Sequence, residues 1–154
     1  MTSWISYLKN GNIKGAREIA KHLDEPERTR ALLMILRISM MHGNFDEALK
    51  TAECLPKPIE IKDVEELLKI FIKNGRPRSA QAVAQLLQKK LSDKQIKKII
   101  TVCLKRNDFL TALEAAEMLE EPTRTKELKR ILKTAIQNKN CPAAQQTVQL
   151  LCRT

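Results

Sequence analysis

The sequence predicts an all-α protein, a right-handed solenoid of stacked antiparallel helix hairpins with about ten helices. Three observations lead there. A pattern recurs every 32 residues without a gap: GNFDEALKTAECL from Gly43 to Leu55 is matched from Gly11, Gly75, Asn107 and Lys139. Small and large residues hold fixed places in it. Ala16, Ala48, Ala80, Ala112 and Ala144 share one place, Ala20, Ala52, Ala84, Ala116 and Val148 a second, and Leu23, Leu55, Leu87, Leu119 and Leu151 a third. Composition completes the case: helix formers dominate, and three of the four glycines sit on the period. A repeat of this length signals units that cannot bury a hydrophobic face alone and so stack on their neighbours.

The chain opens on a half unit, residues 1–10, with an amphipathic helix over 2–9 in which Trp4, Ile5 and Leu8 share a side. Four whole units follow, 11–42, 43–74, 75–106 and 107–138, and a half unit, 139–154, closes a single repeat domain. Each whole unit holds two helices. The first spans 13–23, 45–55, 77–89 and 109–119 in turn. Asn12, Asn44, Asp108 and Asn140 stand just before such helices, where a side-chain oxygen accepts a bond from an otherwise unpaired N–H. Arg76 lacks that acceptor, but Pro77 suits a first helical position. Glu47, three residues after Asn44, predicts a capping box there. Ala48, Ala52 and Leu55 at i, i+4, i+7 form one face whose alanines let a neighbouring helix come close.

The second helices span 27–41, 60–73, 93–105 and 124–137. Their apolar places are Leu32/Val64/Ile96/Leu128, Ile35/Leu67/Ile99/Ile131, Leu36/Leu68/Ile100/Leu132 and Met40/Ile72/Leu104/Ile136, large residues set against the alanines. Pro26, Pro56, Pro58 and Pro122 separate the helices, and Ser92 or Asp93 caps where the third unit has no proline. Gly11, Gly43 and Gly75 follow second helices, where a left-handed residue ends a helix cheaply. The last helix, 141–152, turns Gln145, Gln146 and Gln149 to water as a terminal cap.

Hydrophobic residues are 43% and aromatics 3% of the chain, so the core is aliphatic. No run of ~18 apolar residues predicts a membrane span. The N-terminus MTSWISYLKN has no basic-then-apolar leader pattern. Cys54, Cys103, Cys141 and Cys152 have no metal-ligand spacing. Cys54 and Cys103 fall at apolar places and read as buried free thiols. Cys141 and Cys152 sit on one helix some ~16 Å apart, too far to bridge. A reducing cytoplasm fits this usage. No Ser/His/Asp or Cys/His set, phosphate loop or two-histidine metal spacing is present, and His22 and His42 read as structural. Neither an enzyme nor a cofactor site is expected.

At GNFDEALKTAECLPKP the chain resembles the second helix of a tetratricopeptide repeat, with the same Gly, polar residue, aromatic, two spacers and Ala at the turn and helix start. The unit is 32 residues rather than that family's 34. Large residues stand at Leu36, Leu68, Ile100 and Leu132, and small ones at Ala20, Ala52, Ala84 and Ala116, the reverse of the family's usual pattern. The resemblance implies a helix-pair scaffold with Lys94, Lys97, Lys126, Lys129 and Lys133 facing its concave groove. Some members hold a peptide's terminal carboxylates with such residues. The asparagines that complete that clamp are missing here, and Thr101 stands at one of their places.

The net charge of +10 is uneven: +1, +2, −2, +8, −1 and +2 over the successive units. Lys94, Lys97 and Lys98 form an i, i+3, i+4 face. One period later Lys126, Lys129 and Arg130 repeat it, with Lys133 a turn on. Helices ~8–10 Å apart merge these seven into one basic patch. The first of these places is basic in every unit: Arg30, Lys62, Lys94 and Lys126. Of four readings, an adaptor that binds an acidic protein segment or peptide through a basic groove is the one expected. The lysines solvate a helical rod; they bind an acidic protein or peptide, as an adaptor; they bind a nucleic-acid backbone; or the unpaired ends 2–9 and 141–152 drive end-to-end self-association. Few aromatics are present to stack bases, which counts against RNA reading.

Overall fold

A computed structural model describes residues 3–56 and 62–153. Ten helices follow one another: α1 (Trp4–Lys9), α2 (Ile13–Lys21), α3 (Glu27–Met41), α4 (Phe45–Glu53), α5 (Lys62–Lys73), α6 (Pro77–Leu86), α7 (Asp93–Lys105), α8 (Phe109–Glu117), α9 (Thr123–Gln137) and α10 (Cys141–Cys152). No strand occurs among the described residues. The expected Pro58 breaker and the start of the helix expected over 60–73 lie outside them. Two compact units result, Met1–Leu68 with Ala82–Lys89, and Lys69–Gln81 with Lys90–Thr154.

Within the first unit α1 packs on α2, α2 on α3 and α3 on α4. Gly15 shows how close the first contact is. A Cβ there would stand 2.6 Å from Tyr7 Cδ1, so an alanine would force the Tyr7 ring to shift. Within the second unit α7 packs on α8, α8 on α9, and α9 on α10. The core follows the repeat. The alanines at 16, 48, 80 and 112 and those at 20, 52, 84 and 116 are buried, as are Leu32/Val64/Ile96/Leu128 and Ile35/Leu67/Ile99/Ile131. Methyl side chains on one helix admit the branched residues of the next, which is why an aliphatic core closes without many aromatics.

Helix ends depart from expectation in a regular way. α2, α4 and α8 stop two residues early because their last N–H groups bond three residues back rather than four. His22 and Leu23 reach Ile19 and Ala20, Cys54 and Leu55 reach Thr51 and Ala52, and Met118 and Leu119 reach Ala115 and Ala116. α6 ends at Leu86, not 89, since Gln88 turns left-handed at φ 58° and Lys89 N–H closes onto Ala84 O at 2.8 Å. α9 begins one residue early, at Thr123. Ile136, expected in the core, is 61% exposed.

One turn recurs after α1, α3, α5, α7 and α9. A left-handed residue is followed by an N–H that bonds five residues back: Asn12 to Tyr7, Asn44 to Ser39, Arg76 to Phe71, Asp108 to Cys103 and Asn140 to Ala135. The left-handed place is Gly11, Gly43 and Gly75, then Asn107 (φ 58°) and Lys139 (φ 57°). Gly75 is the most constrained of the glycines in these turns. At φ 66° a Cβ would also come 3.0 Å from Val102 Cγ1. The turn is held to α7 by Cys103 Sγ on Gly75 O and by Arg106, which donates to Asn74 O at 2.7 Å.

Three expected caps form: Asn12, Asp108 and Asn140 accept from Gly15, Thr111 and Ala143. Ser92, not Asp93, caps α7, and the capping box is built there with Gln95. At Asn44 neither the side-chain cap nor the expected box forms. Glu47 is taken by Arg17 instead. The nearly buried Arg17 guanidinium reaches Glu47 Oε2 at 2.7 Å, and Thr51 Oγ1 at 3.4 Å, across from α2 to α4. That hydrogen bond from Arg17 holds the Glu47 carboxyl below its ordinary range.

Candidate functional site: the basic face of α7 and α9

Two helices of the second unit carry the predicted basic residues. Lys94, Lys97 and Lys98 on α7 are exposed, and so are Lys126, Lys129 and Lys133 on α9. α7 presents them because Ile96, Ile99, Ile100 and Cys103 take the buried side of the helix. On α9, Leu128, Ile131 and Ala135 do the same. Arg30 and Lys62 are exposed on α3 and α5 and belong to the first unit.

Arg130 differs from its neighbours. It is half-buried and engaged. Nη1 donates to Thr101 Oγ1 at 3.1 Å and Nη2 to Lys97 O at 3.2 Å, while Nη2 lies 3.3 Å from Glu127 Oε1. Thr101 in turn donates to Lys97 O at 2.9 Å. The planar fork of an arginine suits this double bond to a neighbouring helix, and a lysine would not reproduce it. Arg130 therefore ties α9 to α7 and sets the two lysine rows side by side.

The face is predominantly cationic. The first turn of α9 holds no acidic residue and carries Arg124 and Lys126. Placing cations where the helix dipole is already positive is unfavourable by ~0.3–1 kcal/mol. Asp93 offsets the same effect at the start of α7. Glu127, the one carboxylate of α9, is buried beside Arg130. The surface potential is thus dominated by the ammonium groups.

A cleft of about 190 Å³ opens beside this face, lined by Lys69, Ile72, Lys94, Gln95 and Lys98. Sequence reasoning placed Ile72 in the core and did not foresee the opening. No spacing in the sequence signals it. A second cleft, about 310 Å³, brings Arg76, Arg78 and Arg106 together, but Arg78 is paired with Glu114 and Arg106 holds Asn74 O.

Cys103 is buried, and burial first, with Asp108 nearby, pushes its thiol up to about 11. Cys54, expected to be buried, is only partly so. His22 and His42 both cap helix C-termini. Among the described residues no group of three His, Cys, Asp or Glu is placed to hold a metal, and no helix is long and apolar enough to cross a membrane.

In helix order and repeat register the chain is an all-α succession of helices on a 32-residue period. No family model and no curated protein matches it. Among solved structures it is similar to a Podosopora anserina putative kinesin light chain with nearly identical TPR-like repeats. Identity is 17%, over 97% of this chain and 90% of that one, at a TM-score of 0.30. A single-substitution variant of that protein gives 18% and 0.29 over the same shares. A circular tandem repeat protein of novel topology is 19% identical over 96% of this chain and 29% of its own, at 0.20. These scores measure a loose likeness, and the fold class rests on the repeat register and the helix order.

Proposed function

We propose that the protein is a non-catalytic interaction scaffold that binds an acidic segment of a protein partner on the basic face of α7 and α9. One observation carries this reading. Lys94, Lys97, Lys98, Lys126, Lys129 and Lys133 are all exposed on two helices held side by side by Arg130. An extended acidic peptide laid across both rows neutralises several ammonium groups at once. Each exposed pair alone contributes little, ~0.2–1 kcal/mol, so affinity comes from their number.

Nucleic acid is the competing polyanion. Backbone binding needs only clustered cations, but single-strand binders add aromatic platforms on which bases stack. No aromatic residue occurs in 72–108 or after Phe109, and Phe71 and Phe109 are buried. That favours the peptide. The test is a salt titration of fluorescence anisotropy with a labelled acidic peptide, a single-stranded RNA and a duplex DNA. Saturable peptide binding that weakens with salt, with RNA and DNA weaker at every salt concentration, supports the proposal. Tighter oligonucleotide binding with a steep salt slope replaces it.

A further inference from the structure

We infer that the acidic segment carries one bulky aliphatic residue, seated in the cleft over Ile72 with its flanking carboxylates on Lys94 and Lys98. This rests on the proposed function and narrows the ligand. The repeat supplies the argument. Lys69, Ile72, Lys94, Gln95 and Lys98 occupy places that return one period on as Thr101, Leu104, Lys126, Glu127 and Arg130. At that later seam the place is filled. The Arg130 guanidinium crosses it to Thr101 Oγ1 and Lys97 O, with Glu127 buried beneath.

Between α3 and α5 the corresponding places also hold a crossing arginine, Arg37, whose Nε lies 2.8 Å from Asp63 Oδ2. At the seam of α5 and α7 neither place is an arginine. Lys69 and Lys98 stand there, and a lysine offers a single flexible ammonium rather than a bridging fork. The cleft of about 190 Å³ is found at this seam. Its floor is Ile72, 6% exposed, and three lysines stand in its lining. A cleft of this size takes one aliphatic side chain. An apolar floor under a cationic rim rejects a purely acidic stretch from its depth and rejects a purely apolar one at its edge.

Two labelled peptides test this against the full chain: one leucine flanked on each side by two acidic residues, and the same peptide with alanine for leucine. The leucine peptide is expected to bind on the order of tenfold more tightly, the scale of burying part of a leucine side chain. In isoleucine methyl-labelled protein the Ile72 δ1 resonance, assigned by its loss in Ile72→Val, is expected to shift with the leucine peptide and to stay in place with the alanine peptide. Equal affinity for the two peptides overturns the inference and leaves the acidic-segment reading standing. A leucine preference with the Ile72 methyl unmoved also overturns it. Failure of both peptides to bind removes the inference together with the function it rests on.

Discussion

Replacing Glu47 by alanine removes the anion from a nearly buried pair and leaves Arg17 stranded. The Arg17 side chain is 6% exposed and Glu47 29%. Breaking a fully buried pair costs ~3–5 kcal/mol. Water reaches this one from the glutamate side, and Arg17 keeps longer approaches to Thr51 Oγ1 and Glu47 O, both at 3.4 Å. We therefore expect a loss of about 2 kcal/mol, which for a chain of this size lowers Tm by roughly 4–8 °C. Circular dichroism during urea and thermal unfolding measures it. The double variant Arg17→Met/Glu47→Ala is expected to recover most of the loss, because the uncompensated charge is gone. The pH dependence has a fixed sign. Arg17 holds the folded-state carboxyl below its ordinary value, so its contribution is complete above the unfolded pKa and disappears as pH falls through the folded one. The wild type should converge on Glu47→Gln in stability only once pH falls below the folded-state value, itself under the ordinary carboxylate range. A change under ~0.5 kcal/mol in Glu47→Ala at pH 7 would refute the idea that this pair is a staple between α2 and α4.

Caps provide a paired comparison: Asn12→Ala and Asp108→Ala each cost ~1 kcal/mol in urea unfolding, whereas Asn44→Ala, whose side chain makes no cap bond, costs a few tenths. Gly75→Ala, strained at φ 66° and crowded by Val102, lowers stability by more than ~1 kcal/mol in the same assay. Ala112→Leu overpacks a fully buried place at ~1–3 kcal/mol, and an unchanged Tm would show that the repeat register is misassigned. Alkylation at pH 8 read by peptide mass mapping modifies exposed Cys141 and Cys152 quickly, while Cys103, buried with its thiol pushed up to about 11, stays intact until the protein unfolds.

The fold was legible because its determinants are local and periodic. Ala48 and Ala52 with Leu55, or Ile96 with Ile99 and Ile100, announce a buried face by spacing alone, and all six are buried. Misreadings arose where a residue had two local options and a distant partner chose. Glu47 satisfied a capping-box spacing, but Arg17, thirty residues earlier, offered an ionic bond at 2.7 Å and took it. Gln95 formed the box instead, having no such competitor. Left-handed turns were legible at Gly75 but hidden at Asn107 and Lys139, where the same backbone carries a side chain. Of the basic face, the lysines could be read from their i, i+3, i+4 spacing. The role of Arg130 could not, since it depends on where Thr101 and Lys97 O lie across the helix contact. The cleft over Ile72 was invisible for the same reason, being made by the reach of its neighbours rather than by their polarity.

The central claim is tested most directly by charge reversal on the face itself. Lys97→Glu/Lys129→Glu changes two exposed side chains, one on each helix, and keeps Arg130 with the Thr101 hydroxyl and the backbone carbonyl of residue 97 that it bonds. Measured by anisotropy against a labelled acidic peptide at fixed ionic strength, the account predicts a loss of affinity of at least ~10-fold, with a shallower dependence on salt and an unchanged circular dichroism spectrum. Equal affinity in wild type and variant would contradict it, and would leave the lysines as solvation for a helical repeat.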